Sequence, residues 1–240
     1  MDATPAAVPD GNDNGLINFG TMVQLPRTLV LLTTLSILGQ AALLASAWLL
    51  PAISEYRLVG DNISELVLGR HGYVQTAAFL LSGLGTLGLA YAIRRLTYGL
   101  RGSLAGSVLV AVYGSGAVVS AYFPTDRVDR PADVWSQSTT GTIHSMTALV
   151  SFVAMIVGMF VLSRTFARGS QWRSLTIWSV LLAASSLSLF FAQQEGPRVG
   201  LMQRLLVTAV SGWLIIVAFR ARSIAGSDVA DAARADRVYH

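Results

Sequence analysis

The segment Thr142–Leu162, which reads TIHSMTALVSFVAMIVGMFVL, decides the fold class. Its 21 residues include no Asp, Glu, Lys or Arg, and about 20 apolar residues are enough for an α-helix to cross the hydrocarbon core of a bilayer. A backbone in hydrocarbon must satisfy its own polar groups, so the segment is expected to be a transmembrane helix. The sequence predicts an all-α membrane protein, a bundle of six transmembrane helices, because five further runs have the same character and Arg204 is the one charged residue among them: residues 28–53, 72–93, 103–123, 174–192 and 199–219.

The composition of the 240-residue chain argues against a soluble domain. Hydrophobic residues make up 53% of the chain and charged residues 12%, which is half of the roughly 25% found in soluble domains. The formal charge is +4, but the arginines are dispersed at predicted helix ends and form no continuous basic face, which argues against nucleic acid as a partner. The chain has no cysteine, which excludes disulfides, iron–sulfur ligation and thiol nucleophiles.

Polar segments flank the apolar runs and divide the chain. Residues 1–26 have too few large apolar side chains to fold and are predicted to be a disordered tail. Residues 27–222 form the predicted membrane domain, and residues 223–240 form a second tail. Nine arginines flank the side of the bundle that carries loops 94–101 and 164–173, and six lie on the other, outer side. Because cytoplasmic loops are enriched in basic residues, both termini are predicted to be cytoplasmic, in a multi-pass protein of the cytoplasmic membrane.

Among the ionisable residues of the outer side, four share a predicted depth in the outer quarter of the bundle although they come from separate segments: Glu65, Asp126, His144 and Arg204. Ionisable groups at membrane depth usually face the interior of a bundle and often serve function. We therefore expect one polar site at the outer mouth of the bundle. In this site His144 is the candidate general acid or base, and Asp126 or Glu65 is the carboxylate that orients it.

Three residues are candidates for ligand binding. Arg204 is expected to face an anionic group, with Gln203 beside it and Ser64 beside Glu65. The same residues also fit a structural network that ties the outer loops to the helices. Two further hypotheses are a metal site formed by His144, Asp126 and Glu65, with His71 as an optional fourth ligand, and a nucleophilic role for Ser64. The chain lacks the His or Cys spacing of metal sites, and nothing near Ser64 activates it, so no metal and no cofactor are predicted.

Small residues are concentrated in the second apolar run. The segment Ser82–Gly88, SGLGTLG, matches the dinucleotide-binding pattern G-x-G-x-x-G. That pattern indicates a nucleotide site only at a turn between a strand and a helix, whereas this copy lies in the middle of an apolar run. Small residues at this spacing allow close helix packing in lipid, within one chain or between the copies of a homo-oligomer.

Four short motifs carry a resemblance to a known family: Asn62–Leu66 (NISEL), Phe123–Asp126 (FPTD), Gly141–His144 (GTIH) and Gly200–Arg204 (GLMQR). In this order they resemble the bacterial and archaeal membrane family called domain of unknown function 998, over about residues 28–220. The resemblance implies a six-helix integral membrane protein and supplies no reaction. A looser similarity, to six-helix proteins of the eukaryotic Frag1/DRAM/Sfk1 type, implies a lipid-related role by analogy of fold and site placement.

These observations favour a binding or accessory protein whose outer polar site recognises a lipid head group or a small polar ligand. Membrane lipids are the expected partners. The alternative is a membrane-embedded enzyme that acts on a lipid or a lipid-linked substrate, with His144 as acid or base. Small-molecule transport is the third hypothesis, and it receives little support because no charged residue lies at the predicted midplane.

Overall fold

The computed structural model of the protein describes residues 19–127, 137–193 and 196–239. Six α-helices account for most of these residues, and all six are long and apolar enough to cross a membrane. The prediction of an all-helical chain with six potential spans is confirmed. The helices are α1 Phe19–Leu49, α2 Gly72–Leu96, α3 Ser103–Tyr122, α4 Thr139–Arg168, α5 Thr176–Ala192 and α6 Val199–Tyr239.

The first and last helices extend beyond the predicted spans. Helix α1 begins at Phe19, inside the segment predicted as a disordered tail, and residues 1–18 of that segment lie outside the described residues. Helix α6 has 41 residues and continues through the predicted tail 223–240 as far as Tyr239. An apolar run marks the part of a helix that can lie in hydrocarbon, whereas the helix itself continues as long as its backbone bonding is not interrupted.

The helices form a closed ring. Consecutive helices pack side by side, and α6 packs against both α5 and α1. Leu89, Met155 and Trp213 belong to the apolar core that the ring encloses. The end of the ring that carries the α1–α2, α3–α4 and α5–α6 connections is called the outer end below.

Close packing of helix backbones explains the small residues of the second run. A Cβ atom on Gly83 would lie 2.7 Å from the carbonyl oxygen of Gly114 in α3, and one on Gly85 would lie 2.7 Å from the Cα atom of Ser36 in α1. Side chains at these two positions would separate α2 from its neighbours, so the packing interpretation of this segment is confirmed. Because these contacts lie within one chain, a homo-oligomer formed through small-residue faces stays a prediction.

A polar network lies in the middle of the bundle and joins three helices. The Gln40 amide nitrogen donates hydrogen bonds to the hydroxyls of Ser82, at 3.0 Å, and Thr86, at 2.9 Å. Its carbonyl oxygen accepts one from Ser211, at 2.9 Å. All four side chains are buried, so the network ties α1, α2 and α6 together below the outer end.

Candidate functional site

The connection between α1 and α2 folds onto the first turns of α6. The Leu201 amide donates to the carbonyl of Val59, at 3.0 Å, and the Gln203 side-chain oxygen accepts from the amide of Ile63, at 2.6 Å. Gly200 lies against the backbone of Asp61 and leaves no room for a Cβ atom. The motif Gly200–Arg204 is therefore the docking surface for the segment that includes Asn62–Leu66.

Arg204 is fully buried and holds this connection in place. Its Nε donates to the carbonyl of Ala47, at 2.9 Å, and its Nη1 donates to those of Asp61, at 2.7 Å, and Gly200, at 3.1 Å. In a regular helix the Ala47 carbonyl would accept from residue 51, but Pro51 has no N–H to donate. Arg204 supplies the missing donor. We call Arg204 and these three carbonyls the Arg204 clamp.

The role of Arg204 in facing an anionic ligand stays a prediction, and the Nη2 of Arg204 is buried without a hydrogen-bond partner among the described residues. Its Nε and Nη1 are committed to backbone carbonyls, and Arg204 is not among the residues that line the cavity described below. The anionic groups that interact with it electrostatically are Asp61 and Glu65 of the same chain. A fully buried cation needs such partners because transfer out of water is strongly unfavourable.

The two acidic residues near the clamp are held by their own turn. Glu65, in a short 3-10 helix over Ser64–Leu68, accepts from the backbone amide and the side-chain amide of Asn62, at 3.3 and 3.0 Å. Burial raises the pKa of Glu65 and outweighs these two hydrogen bonds. Burial also opposes ionisation of Asp61, but the hydrogen bonds from the side chain and backbone of Arg57 hold the pKa of Asp61 below its usual range.

Asp126 stabilises the start of α4. Its two carboxylate oxygens accept from the backbone amide of Ser138, at 2.6 Å, and from the hydroxyl of Ser138, at 2.8 Å. The Ser138 hydroxyl in turn accepts from the amide of Gly141, at 3.0 Å, as a helix N-cap. The hydrogen bonds of Asp126 in the described residues go to Ser138 and not to His144, so its role in orienting His144 stays a prediction.

A backbone carbonyl orients His144 instead. The Nδ1 of His144 lies 2.8 Å from the carbonyl oxygen of Phe123, which can only accept, so Nδ1 carries the proton. Pro124 ends α3 and holds Phe123 in an extended conformation, and this leaves the Phe123 carbonyl free to accept. In the neutral imidazole the Nε2 atom then keeps its lone pair.

A cavity lies between the Gln203–Ile63 contact and His144. It contains about 550 Å³ of empty space, part of it open to the surroundings. Residues of α1, α2, α3, α4, α6 and the 3-10 helix line it, and most of the lining is apolar, for example Leu43, Phe79, Phe152 and Val207. Its polar lining includes Ser64, Tyr113, Ser120, His144 and Gln203. We call this cavity the outer pocket.

Five polar groups of the outer pocket form no hydrogen bond with any residue that the structure describes: the hydroxyls of Ser64, Tyr113 and Ser120, the Nε2 of His144 and the side-chain nitrogen of Gln203. Tyr113, Ser120 and His144 are more than nine-tenths buried. Buried polar groups nearly always have a partner in folded proteins. The outer pocket therefore offers a set of uncommitted donors and acceptors.

The structure thus divides the predicted site residues into two sets. Ser64, His144 and Gln203 line one pocket, whereas Glu65, Asp126 and Arg204 form hydrogen bonds next to it. Tyr113 and Ser120 are pocket residues that the sequence analysis missed. They are seven residues apart and so lie on one face of α3, a signal that was available but is common in transmembrane helices.

The metal hypothesis receives no support from the geometry. Within residues 19–127, 137–193 and 196–239, no three His, Asp or Glu side chains are grouped as they would be around a metal ion. The ring of His71 instead contacts the ring of Tyr73, with 6.3 Å between the ring centres.

A comparison with family models matches residues 37–220 to the family described as protein of unknown function (DUF998). The match covers most of the chain, so the protein belongs to this family. No curated protein and no solved structure matches it significantly. The match places the chain in an uncharacterised family of which it is a polytopic membrane member, as its six apolar helices indicate.

Proposed function

We propose that this member of the DUF998 family binds a lipid head group or a small polar ligand in the outer pocket. The observation that carries the proposal is the set of five polar groups that line one cavity without a partner among the described residues. These five atoms border the cavity and are not among the polar atoms fully enclosed by protein. A bound ligand, or water that a ligand displaces, would satisfy these groups.

The surroundings of the pocket favour a ligand from the membrane. Its lining is largely apolar, and its walls are helices that can span a bilayer. Ligand sites of this kind, in which a few polar groups stand in a mostly apolar cleft between helices, fix the orientation of the bound molecule through the polar groups.

We propose that the protein lies in the cytoplasmic membrane with both termini in the cytoplasm, because the segments 94–101 and 164–173 at the inner end, which include the last turns of α2 and α4, carry six arginines and no acidic residue. The outer pocket then faces away from the cytoplasm. A reporter fused after His240 should be active only if it is a cytoplasmic reporter. Activity of a periplasmic reporter at this position would reverse the orientation.

Lipid mass spectrometry of the purified protein tests the proposed function. Ala117 lines the pocket, and Ala117→Leu should fill part of it. Ser115 is exposed on the same helix, so Ser115→Leu is the matched control. We expect a lipid that co-purifies with the wild type to be depleted several-fold in Ala117→Leu and retained in Ser115→Leu. Equal lipid content in all three proteins would contradict ligand binding in the pocket.

One observation favours a second candidate function, an enzyme that acts on a lipid or a lipid-linked substrate. The Phe123 carbonyl fixes the tautomer of His144 so that Nε2 is the basic atom, and His144 lines the pocket. A carbonyl or carboxylate that orients an imidazole in this way is a feature of general bases. In the same mass spectra, an enzyme would produce lipid species that the wild type forms and the His144→Gln variant does not.

A further inference from the structure

We infer that the outer pocket takes an uncharged lipid that carries a hydroxyl and a carbonyl group, of the glycerol-ester type. The inference rests on the proposed function and narrows it to one class of ligand. Three properties of the pocket lead to it: its charge, its donors and acceptors, and its apolar wall.

The charge of the lining argues against phosphate and ammonium head groups. No Asp, Glu or Arg is among the lining residues in the part of the chain that the structure describes. Of the buried charges nearby, Asp61 binds Arg57, and Arg204 uses its Nε and Nη1 to bind three carbonyls. The Nη2 of Arg204 has no hydrogen-bond partner among the described residues, but Arg204 is not part of the pocket lining. A phosphate placed in this pocket would lose its hydration without gaining a cation, which is strongly unfavourable.

The donors and acceptors define a complementary ligand. The side-chain nitrogen of Gln203 can only donate, as any amide nitrogen does, and the hydrogen bond from the Ile63 amide to the Gln203 side-chain oxygen fixes the orientation of this amide. The Nε2 of His144 can only accept, because Nδ1 carries the proton of the neutral ring. A ligand that satisfies both residues must offer an acceptor and a donor. The hydroxyls of Ser64, Tyr113 and Ser120 can serve in either role.

The apolar wall requires that the ligand also has an apolar body. The rings of Phe79 and Phe152 and the side chains of Leu43 and Val207 line the same pocket, and the rings of Tyr113 and Phe152 pack with 5.7 Å between their centres. A free sugar or glycerol would leave this surface without a contact. A diacylglycerol presents a hydroxyl donor, ester carbonyl acceptors and alkyl chains in one uncharged molecule.

A matched pair of lipids tests the inference. Dioleoylglycerol and dioleoyl phosphatidic acid share the same glycerol esters and acyl chains, and they differ by a phosphate in place of the hydroxyl. Each is added at increasing fractions to phosphatidylcholine nanodiscs that contain the full-length protein, and the occupancy is measured by native mass spectrometry. We expect dioleoylglycerol to bind at least tenfold more tightly than the phosphatidic acid.

Conservative variants locate the binding. Tyr113→Phe and Ser120→Ala each remove one pocket hydroxyl and should each weaken dioleoylglycerol binding about two- to tenfold, the range expected for one neutral hydrogen bond. Tyr122 is exposed on the same helix, so Tyr122→Phe is the matched control and should bind as the wild type does.

The possible outcomes distinguish an error in the class of ligand from an error in the site of binding. If phosphatidic acid binds as well as dioleoylglycerol or better, and Tyr113→Phe weakens it, the ligand is not uncharged, whereas the proposed pocket stands. If neither lipid responds to Tyr113→Phe or Ser120→Ala, the inference is wrong, and the proposed function is decided separately by the comparison of Ala117→Leu with Ser115→Leu, which does not depend on the class of lipid.

Discussion

Two polar regions lie side by side at the outer end of the bundle, and they use their polar groups in opposite ways. The Arg204 clamp is charged, and its hydrogen bonds go to the backbone of its own chain. The outer pocket is neutral, and five of its polar groups form no bond with the described residues. Gln203 and Arg204 are neighbours in the sequence, yet Gln203 lines the pocket and Arg204 does not.

This difference shows that burial of a charge is weak evidence for a binding site. A buried ion needs partners that a stable fold supplies internally, as it does here for the Nε and Nη1 of Arg204, although the Nη2 has no hydrogen-bond partner among the described residues. Neutral hydroxyls and amides are less unfavourable to leave unpaired, so a fold can keep them available for a ligand. The clamp is therefore best explained as a structural element, whereas the pocket keeps the neutral groups that the proposed ligand binding requires.

Substitution of Arg204 should cause the largest change in the free energy of unfolding. Arg204→Met keeps an unbranched side chain but removes the donors to the carbonyls of Ala47 and Asp61. Because the remaining carbonyls and the acidic groups would be buried without their partner, we expect the free energy of unfolding to fall by about 3–5 kcal/mol. Titration of the detergent-solubilised protein with sodium dodecyl sulfate measures this change.

Two controls separate the loss of the clamp from the loss of any polar side chain. Arg198 is exposed at the outer end, so Arg198→Met should leave the free energy of unfolding unchanged. Ser120→Ala removes a pocket hydroxyl that has no partner among the described residues and should change this free energy by less than about 0.5 kcal/mol. If Arg204→Met is as stable as these controls, the claim that the Arg204 clamp stabilises the fold is wrong.

The four motifs of the sequence analysis lie at the outer end of the bundle, but the sequence does not indicate which motif contacts which. The structure pairs them in twos: Asn62–Leu66 binds Gly200–Arg204 through the Gln203–Ile63 hydrogen bond, and Phe123–Asp126 is joined to Gly141–His144 through the Phe123–His144 bond. That the motifs lie at one end of the bundle could be predicted, because hydropathy marks the ends of the apolar runs. The contacts between the segments could not be predicted, since they depend on the carbonyls of Ala47 and Phe123, which are left without a helical donor near Pro51 and Pro124.

The fold was more predictable than the site for a physical reason. Six apolar runs determine six spans because hydrocarbon tolerates few alternatives to a helix. Whether a polar side chain near a span end caps a helix, as Asp126 does, or lines a cavity, as Ser64 does, depends on distances of a few ångströms between segments far apart in the sequence. Tyr113 illustrates the same limit, because an isolated tyrosine in an apolar run is usually a packing residue.

The smallest expected effect concerns Glu65, which lies next to the clamp and outside the pocket lining. Burial raises the pKa of Glu65 above its ordinary value of 4.5. An acid with a raised pKa in the folded state binds protons more readily there than in the unfolded state, so its contribution to stability is greatest at low pH and is lost as the pH rises through the folded pKa. Glu65→Gln removes this loss and keeps an oxygen that can accept from Asn62.

We therefore expect Glu65→Gln to be at least as stable as the wild type at pH 7, with a difference that disappears at pH 4. Thermal unfolding of both proteins in detergent at these two pH values measures it. The opposite pH dependence of Asp61, whose pKa is lowered, is present in both proteins and cancels in the difference. A variant that is less stable than the wild type at pH 7 but not at pH 4 would mean that the ionised Glu65 is needed as a counter-ion for Arg204. The Arg204 clamp would then include Glu65. The clamp and the outer pocket would share the 3-10 helix that carries both Glu65 and Ser64.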